Sequence, residues 1–196
     1  MKYFIFDTET TGTGKFDEVV ELGGIWLDEQ FKICDVFHKY WLPLKLFDPK
    51  AASVNGLSMK LLSEKTSRFI EQDIYKISQD DVCYIEWSSL GFDKKMINQT
   101  LSLHGYDQID FGRDTKSIKH LRRQHIIVQD IITNGVCGGQ PGRLRDIAER
   151  VLSLDERQMV NSLERKLFNT DGSYHSASYD ALITAIIVVK YKDYLL

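Results

Sequence analysis

The stretch KYFIFDTETTG, residues 2–12, starts as an apolar run and ends in two carboxylates, Asp7 and Glu9. A nearly continuous apolar segment is typical of a strand with both faces covered, so residues 2–9 predict a central β-strand. Residues i and i+2 of a strand point to the same face, which lets Asp7 and Glu9 converge on one point. Two such carboxylates repel each other, and a shared proton or a bound cation usually relieves the repulsion. Alternatively, one carboxylate caps a turn and the other is exposed.

The composition predicts one globular domain. The chain has 196 residues, of which 43% are hydrophobic and 27% charged, and this length allows one substantial core. The longest aliphatic run, residues 185–189, is too short to span a bilayer, and no signal-peptide pattern is present, so we expect a cytoplasmic protein without membrane contact. Cys34, Cys83 and Cys137 form no CxxC pair, which argues against a disulfide framework or a zinc site. The net charge of −3 argues against coating of long nucleic acid, but not against metal-mediated phosphate binding.

Strand-like runs and helical periodicity alternate along the rest of the chain, which predicts an α/β sheet. Further strands are predicted at residues 19–27, 32–42, 82–87 and 108–113. Helical patterns cover residues 48–79, 92–104, 116–125, 144–154, 156–168 and 177–191. The segment NGVCGGQPG, residues 134–142, predicts a plain loop, because no GK[ST] follows it as in a P-loop.

Three later residues are candidates to join Asp7 and Glu9. The segment HSASYDALITA, residues 175–185, places His175 five positions before Asp180. Five residues correspond to a rotation of roughly 140° on a helix, so we place His175 on the preceding loop. Asp180 lies in an apolar segment, and a buried carboxylate is expected to be paired or to bind metal. Asp93, in SSLGFDKKMI, opens a predicted helix, where it can also simply favour the helix dipole.

These segments resemble the motifs of a known family, the two-metal 3′-5′ exonucleases of the DEDD superfamily. FDTETTG resembles its first motif, GFDKKMI its second and HSASYDA its third, with the histidine of the DEDDh subtype, which includes proofreading exonucleases and RNase T-like enzymes. Weaker similarity extends to DEVVELGGIWLD, to ASVNGLS and to RDTKSIKHL, which resembles the family's strand-to-helix DT segment. The resemblance covers nearly the whole chain, so residues 1–196 are expected to form a single 3′-5′ exonuclease domain.

The resemblance implies a ribonuclease H-like fold, with a mixed five-stranded sheet flanked by helices. It implies two Mg²⁺ ions, replaceable by Mn²⁺, held by Asp7, Glu9, Asp93 and Asp180, with His175 as general base. The implied substrate is the 3′ end of single-stranded DNA or RNA, and the implied products are nucleoside 5′-monophosphates. Substrate contacts are expected from Thr8, Thr10, Thr11, Gly12, Val54, Asn55 and Leu57.

Two departures and two alternatives accompany this prediction. Ser88 and Ser89 stand where the second motif usually has histidine and asparagine, which puts substrate preference in doubt. Residues 155–174, which precede His175, form a longer segment than is usual in the family. This segment is expected to be a lid, a specificity element, a partner surface or an extra packed helix. A haloacid-dehalogenase-like phosphatase is disfavoured, because its second strand-end acid is aspartate and it gives His175 and Asp180 no role. A catalytically silent nucleic-acid-binding module is the other alternative, although such proteins generally lose motif acids.

Overall fold

The computed structural model describes residues 1–66, 71–88, 90–116, 123–170 and 174–195. Its centre is a six-stranded mixed sheet in the order β3-β2-β1-β4-β6-β5. The antiparallel part contains β1 (Lys2–Thr10), β2 (Val19–Leu27) and β3 (Ile33–Tyr40). β4 (Val82–Glu86), β6 (Arg123–Ile127) and β5 (Arg113–Thr115) continue the sheet, parallel to β1. The predicted mixed α/β class is confirmed, whereas the expected number of five strands is wrong.

Helices cover the sheet on both faces. They are α1 (Pro49–Asn55), α2 (Met59–Lys65), α3 (Glu71–Ile74), α4 (Phe92–Leu103), α5 (Val128–Gly135), α6 (Leu144–Val151), α7 (Leu154–Phe168) and α8 (Ala177–Lys190). Short 3₁₀ turns follow α3 and α8, at Tyr75–Ile77 and Lys192–Tyr194. In the part of the chain that the structure describes, no helix is long and apolar enough to cross a membrane.

β1 is central because its alternate side chains enter two different cores. Ile5 packs in the cluster that contains Leu182 of α8. Phe4 and Phe6 pack in the opposite cluster, which contains Ile97 of α4. All three β1 side chains are fully buried, so the continuous apolar run marks a strand covered on both faces, as the sequence predicted.

The sixth strand comes from a segment for which the sequence predicted a helix. The sequence predicts a helix over residues 116–125, but Arg123–Ile127 form β6, paired in parallel with β4. Residues 117–122 lie outside the described part. Ile126 is fully buried in the sheet. The polar residues before it obscured this two-sided burial, and the expected DT strand became the three-residue edge strand β5.

Residues 155–174, which the resemblance marks as longer than usual, consist mostly of α7. Ser153 and Glu156 form a capping box at its start, with the Glu156 N–H donating to Ser153 Oγ at 3.2 Å. Val160 and Glu164 are buried and α7 packs on α8. This part of the segment is therefore a packed helix, and residues 171–173 lie outside the described ranges.

Candidate active site

The carboxyl end of β1 presents Asp7 and Glu9 on the face of the sheet covered by α8. Asp7 and Glu9 follow Ile5 by two and four residues, so they point to the same face of the sheet as Ile5, which packs under α8. Asp7 pairs with Gly23 of β2, and Glu9 pairs with Glu21. A register shift between Glu9 and Thr10 ends the regular pairing. The two half-buried carboxylates therefore sit on a rigid central strand, as the sequence predicted.

Gly23 allows α8 to approach β2 at the position that faces Asp7. A Cβ atom on Gly23 would lie 2.3 Å from the backbone nitrogen of Ser178 and 2.4 Å from the carbonyl of Ala177, so no larger residue fits. The first turn of α8 consequently rests on the sheet beside Asp7. Asp180 lies in this turn and is 7% exposed, where the helix dipole favours a negative charge.

His175 immediately precedes α8 and lies beside Asp180 and Glu9. It has a left-handed backbone (φ 71°) and an exposed side chain, and its N–H donates to Asp180 Oδ2 at 3.1 Å. Donor atoms of Glu9, His175 and Asp180 all lie within 4.8 Å of one another. The predicted loop position of His175 and the burial of Asp180 are thus confirmed.

Asp93 reaches β1 from the opposite face of the sheet. It lies in the first turn of α4 and is 3% exposed, as its place at the predicted helix start suggested. Its Oδ1 accepts the Thr8 N–H at 3.0 Å and the Thr8 hydroxyl at 2.6 Å. Thr8 lies between Asp7 and Glu9, so these two bonds fix Asp93 against the same strand end. We call Asp7, Glu9, Asp93 and Asp180 the four motif acids.

Crowding raises the pKa of the two β1 carboxyls. Burial, followed by the neighbouring charges of Asp93 and Asp180, raises the pKa of Asp7 well above its ordinary value. Burial and then the charge of Glu21 raise the pKa of Glu9 to about 9, although a hydrogen bond from Asn55 opposes the shift. These shifts follow from like charges held together away from water.

The pKa values of the other two motif acids, Asp93 and Asp180, are raised for similar reasons. Burial and then the charge of Glu86 raise the pKa of Asp93 well above its ordinary value, against the lowering effect of the Thr8 bonds. Burial raises the pKa of Asp180 to about 7, against the lowering effect of the His175 N–H. Among the described residues, no side-chain nitrogen of lysine, arginine or histidine lies within 4.0 Å of a carboxylate oxygen of a motif acid. The buried Oδ1 of Asp180 likewise has no hydrogen-bond partner there.

The residues after Glu9 form a closed turn. The Thr10 hydroxyl donates to the Gly12 carbonyl at 2.7 Å, and the Thr11 hydroxyl donates to Asp17 Oδ1 at 2.9 Å. A Cβ atom on Gly12 would lie 2.6 Å from Asp17 Oδ2, which leaves room only for glycine without rearrangement. Thr8, Thr10, Thr11 and Gly12 therefore border the motif acids, with their hydroxyls engaged inside the protein.

The three expected contacts near α1 differ in accessibility. Asn55 donates through Nδ2 to the Thr10 carbonyl at 3.2 Å and borders Glu9. Val54 is 50% exposed, so its side chain is available to a ligand. Leu57 is 6% exposed and packs with Val20 and Leu62, a position that supports a packing role.

Two buried glutamates adjoin the motif acids and were missed by the sequence reasoning. Glu21 of β2 lies opposite Glu9, and Glu86 ends β4 within hydrogen-bonding reach of Asp93. Both are almost fully buried. The available signal was a glutamate inside an apolar strand, in VVELGGIWL and VCYIEW. Ser89, one of the two departures from the second motif, lies outside the described residues.

Solved structures with the same fold include several nucleases. E. coli Exonuclease I in complex with a dA16 oligonucleotide matches with a TM-score of 0.69 and 17% identity, over 98% of this chain and 41% of that chain. Exonuclease X in complex with 5′ overhanging duplex DNA matches with a TM-score of 0.61 and 16% identity, over 97% of this chain and 91% of that chain. The Exonuclease I of Methylocaldum szegediense matches with a TM-score of 0.66 and 16% identity, over 98% of this chain and 40% of that chain. The chain thus spans about two-fifths of the Exonuclease I chains that it matches.

Sequence comparison assigns the family more directly. No curated protein sequence matches the chain. The family model RNase_T, described as "Exonuclease", matches residues 4–188. This range contains the end of β1, the start of α4 and the start of α8, which carry the four motif acids. Because the match extends over nearly the whole chain, the chain belongs to this exonuclease family.

Proposed function

We propose that residues 1–196 form a single exonuclease domain of the DEDDh subtype that removes nucleoside 5′-monophosphates from the 3′ ends of single-stranded DNA or RNA. One observation carries the proposal: four carboxylates from three distant segments converge at one strand end, without a cationic side chain beside them in the described structure. The fold shared with oligonucleotide-bound exonucleases supports it.

The donor set suits Mg²⁺ or Mn²⁺. Hard divalent cations prefer carboxylate oxygens, and the unpartnered, buried Asp180 Oδ1 is a donor that such an ion would satisfy. Asp7, Glu9, Asp93 and Asp180 would hold the ions. A pair of bound ions supplies a Lewis acid for the phosphodiester, a more acidic water and charge stabilisation for the leaving oxygen.

The protein's own groups position the remaining parts of the reaction. His175 is exposed at the cluster's rim, where its imidazole can accept the proton of the attacking water. Its backbone bond to Asp180 fixes the loop that carries it. Asp93 is held by two bonds from Thr8, so β1 and α4 keep their acids in one arrangement. Exposed Val54, beside Asn55, would contact the terminal nucleotide.

A gel assay of single-stranded DNA and RNA of one sequence, each labelled at its 5′ end, tests the proposal. We expect both ladders, or one of them, to shorten by single nucleotides from the 3′ end with Mg²⁺ or Mn²⁺ and not with chelator. The faster strand identifies the preferred sugar. The absence of cleavage with every metal would reject the exonuclease proposal and favour a binding-only domain.

A further inference from the structure

An exposed aromatic ring beside two lysines lies in the loop between β1 and β2. Phe16 is 48% exposed, and its ring centroid lies 4.7 Å from Lys15 Nζ and 4.4 Å from Lys45 Nζ. Leu44 and Leu46, on either side of Lys45, are 70% and 79% exposed. We call Lys15, Phe16, Leu44, Lys45 and Leu46 the Phe16 patch. Exposed apolar groups concentrated in this way are typical of a binding surface.

Hydrogen bonds connect both loops of the Phe16 patch, at residues 15–16 and 44–46, to the end of β1. The Thr11 hydroxyl donates to Asp17 in the first loop, and the Thr11 carbonyl accepts the Asp48 N–H at 2.8 Å at the end of the second. The Leu44 and Lys45 N–H groups donate to Glu18 Oε1 at 2.9 and 3.2 Å. Because Thr11 is two residues beyond Glu9, the patch has a fixed place next to the candidate active site.

The acids in these loops accept hydrogen bonds within the protein: Glu18 is buried, Asp17 is half-buried and Asp48 is exposed. Asp17 accepts hydrogen bonds from the Thr11 hydroxyl and the Gly14 N–H. Glu18 is 1% exposed and lies 2.7 Å from His104. Asp48 caps α1 through the Lys50 N–H. Lys15 and Lys45 are exposed, with Nζ atoms close to the aromatic ring.

We propose that the Phe16 patch binds nucleotides upstream of the 3′ end, with a base stacked on Phe16 and phosphates beside Lys15 and Lys45. Single strands are held by a combination of aromatic stacking and cationic backbone contacts. The flanking leucines extend the apolar contact to further bases. This inference rests on the proposed function for its substrate, and it assigns the strand a path along the β1–β2 loop.

Anisotropy of a labelled oligothymidylate of about 16 nucleotides, measured in chelator to prevent cleavage, tests the binding. Phe16→Ala and Phe16→Leu should weaken binding at least about 5-fold, and Phe16→Tyr should bind like the wild type, because a stacked ring contributes roughly 5- to 150-fold. The double variant Lys15→Ala, Lys45→Ala should reduce the slope of log K against log salt by about 1.4, because each phosphate contact to a single strand contributes about 0.7 and two contacts are lost. The matched control, Lys166→Ala with Lys192→Ala, removes two exposed lysines elsewhere and should leave the slope unchanged.

Hydrolysis separates this inference from the proposed function. Phe16→Ala should raise KM for the oligonucleotide and leave hydrolysis of the p-nitrophenyl ester of thymidine 5′-monophosphate unchanged, because that ester has no upstream nucleotide. A wild type that binds the oligonucleotide through Phe16 but cleaves neither substrate would overturn the exonuclease proposal and support the patch. Wild-type binding by Phe16→Ala would overturn the patch as a strand site and favour a protein partner for its leucines.

Discussion

Two groups of buried carboxylates in this protein have opposite surroundings. Three buried glutamates each face a histidine: Glu18 lies 2.7 Å from His104 and Glu21 2.8 Å from His38, both as hydrogen bonds, whereas Glu86 Oε1 lies 3.3 Å from His125 Nε2 without one. The four motif acids have no such partner within the described structure. Yet the two groups are adjacent, since Glu21 faces Glu9 across β1 and β2 and Glu86 adjoins Asp93.

The difference indicates two separate uses of buried charge. A histidine-paired glutamate joins chain segments; Glu18, for example, connects the start of β2 to the end of α4 and to the loop at residues 44–45. The motif acids instead remain crowded with raised pKa values, a condition that an external cation relieves. Substitutions in the first group should therefore affect stability, and substitutions in the second should affect chemistry.

Asp7→Asn should give the largest effect. We expect cleavage to fall by at least about 10³-fold, because metal-held charge stabilisation is worth several kcal/mol and about 1.4 kcal/mol corresponds to a factor of ten. The folded protein should be as stable as the wild type or more stable, since one repelling charge is removed. Steady-state cleavage and thermal unfolding measure the two effects, with Asp193→Asn as a control at an exposed acid. Near-wild-type cleavage would exclude Asp7 from the mechanism.

His175→Ala should give the next largest effect, again on chemistry alone. The loss of a general base typically slows a reaction by roughly 10²- to 10⁴-fold, and the exposed His175 side chain contributes little to packing. His175→Asn is the better control for the backbone, because asparagine tolerates the left-handed conformation found there. Both variants should lose activity, and His175→Asn should do so at an unchanged melting temperature. An unchanged rate would remove His175 from the proton transfer.

The sequence was informative where the chemical requirement is local. The run before Asp7 marks a strand, and an acid inside the apolar residues of α8 had to be partnered or functional, as Asp180 illustrates. Histidine pairing could not be foreseen in this way, because Glu18 and His104 are 86 residues apart in sequence. Gly23 likewise shows its role only where α8 packs on it. β6 was missed because sheet pairing, rather than its own polar sequence, determines its conformation.

His104→Leu should affect stability and not the chemistry. The substitution leaves Glu18 Oε2 without its histidine in a site that is almost fully buried. An unsatisfied buried acceptor costs about 1–3 kcal/mol, equivalent to a melting temperature lower by about 2–12 °C in a domain of this size. At a temperature where the variant is folded, hydrolysis of the small nucleotide ester should equal that of the wild type. A stable variant with lost hydrolysis would contradict the division into two groups.

The raised pKa values of the motif acids also make the stability of the metal-free protein depend on pH. The pKa of Glu9 is raised to about 9 and that of Asp180 to about 7, from ordinary values of 4.5 and 3.8. Between the ordinary and the raised values the folded state binds more protons than the unfolded state, so stability must fall as the pH rises. In chelator, the melting temperature should decrease continuously from about pH 5 to about pH 9, and Glu9→Gln should flatten the upper part of this decrease.

Divalent ions should reverse that decrease, because they replace the protons that the motif acids otherwise retain. Mg²⁺ or Mn²⁺ at about 100 times its dissociation constant stabilises a folded protein by about 2.7 kcal/mol, or about 5–10 °C here. The gain should be larger at pH 8 than at pH 6, because fewer protons compete for the carboxylates at the higher pH. Asp7→Asn should lose most of the gain, and Asp193→Asn should retain it. A metal-free melting temperature that rises toward alkaline pH, with no response to either ion, would show that the motif acids are paired after all and do not await a cation.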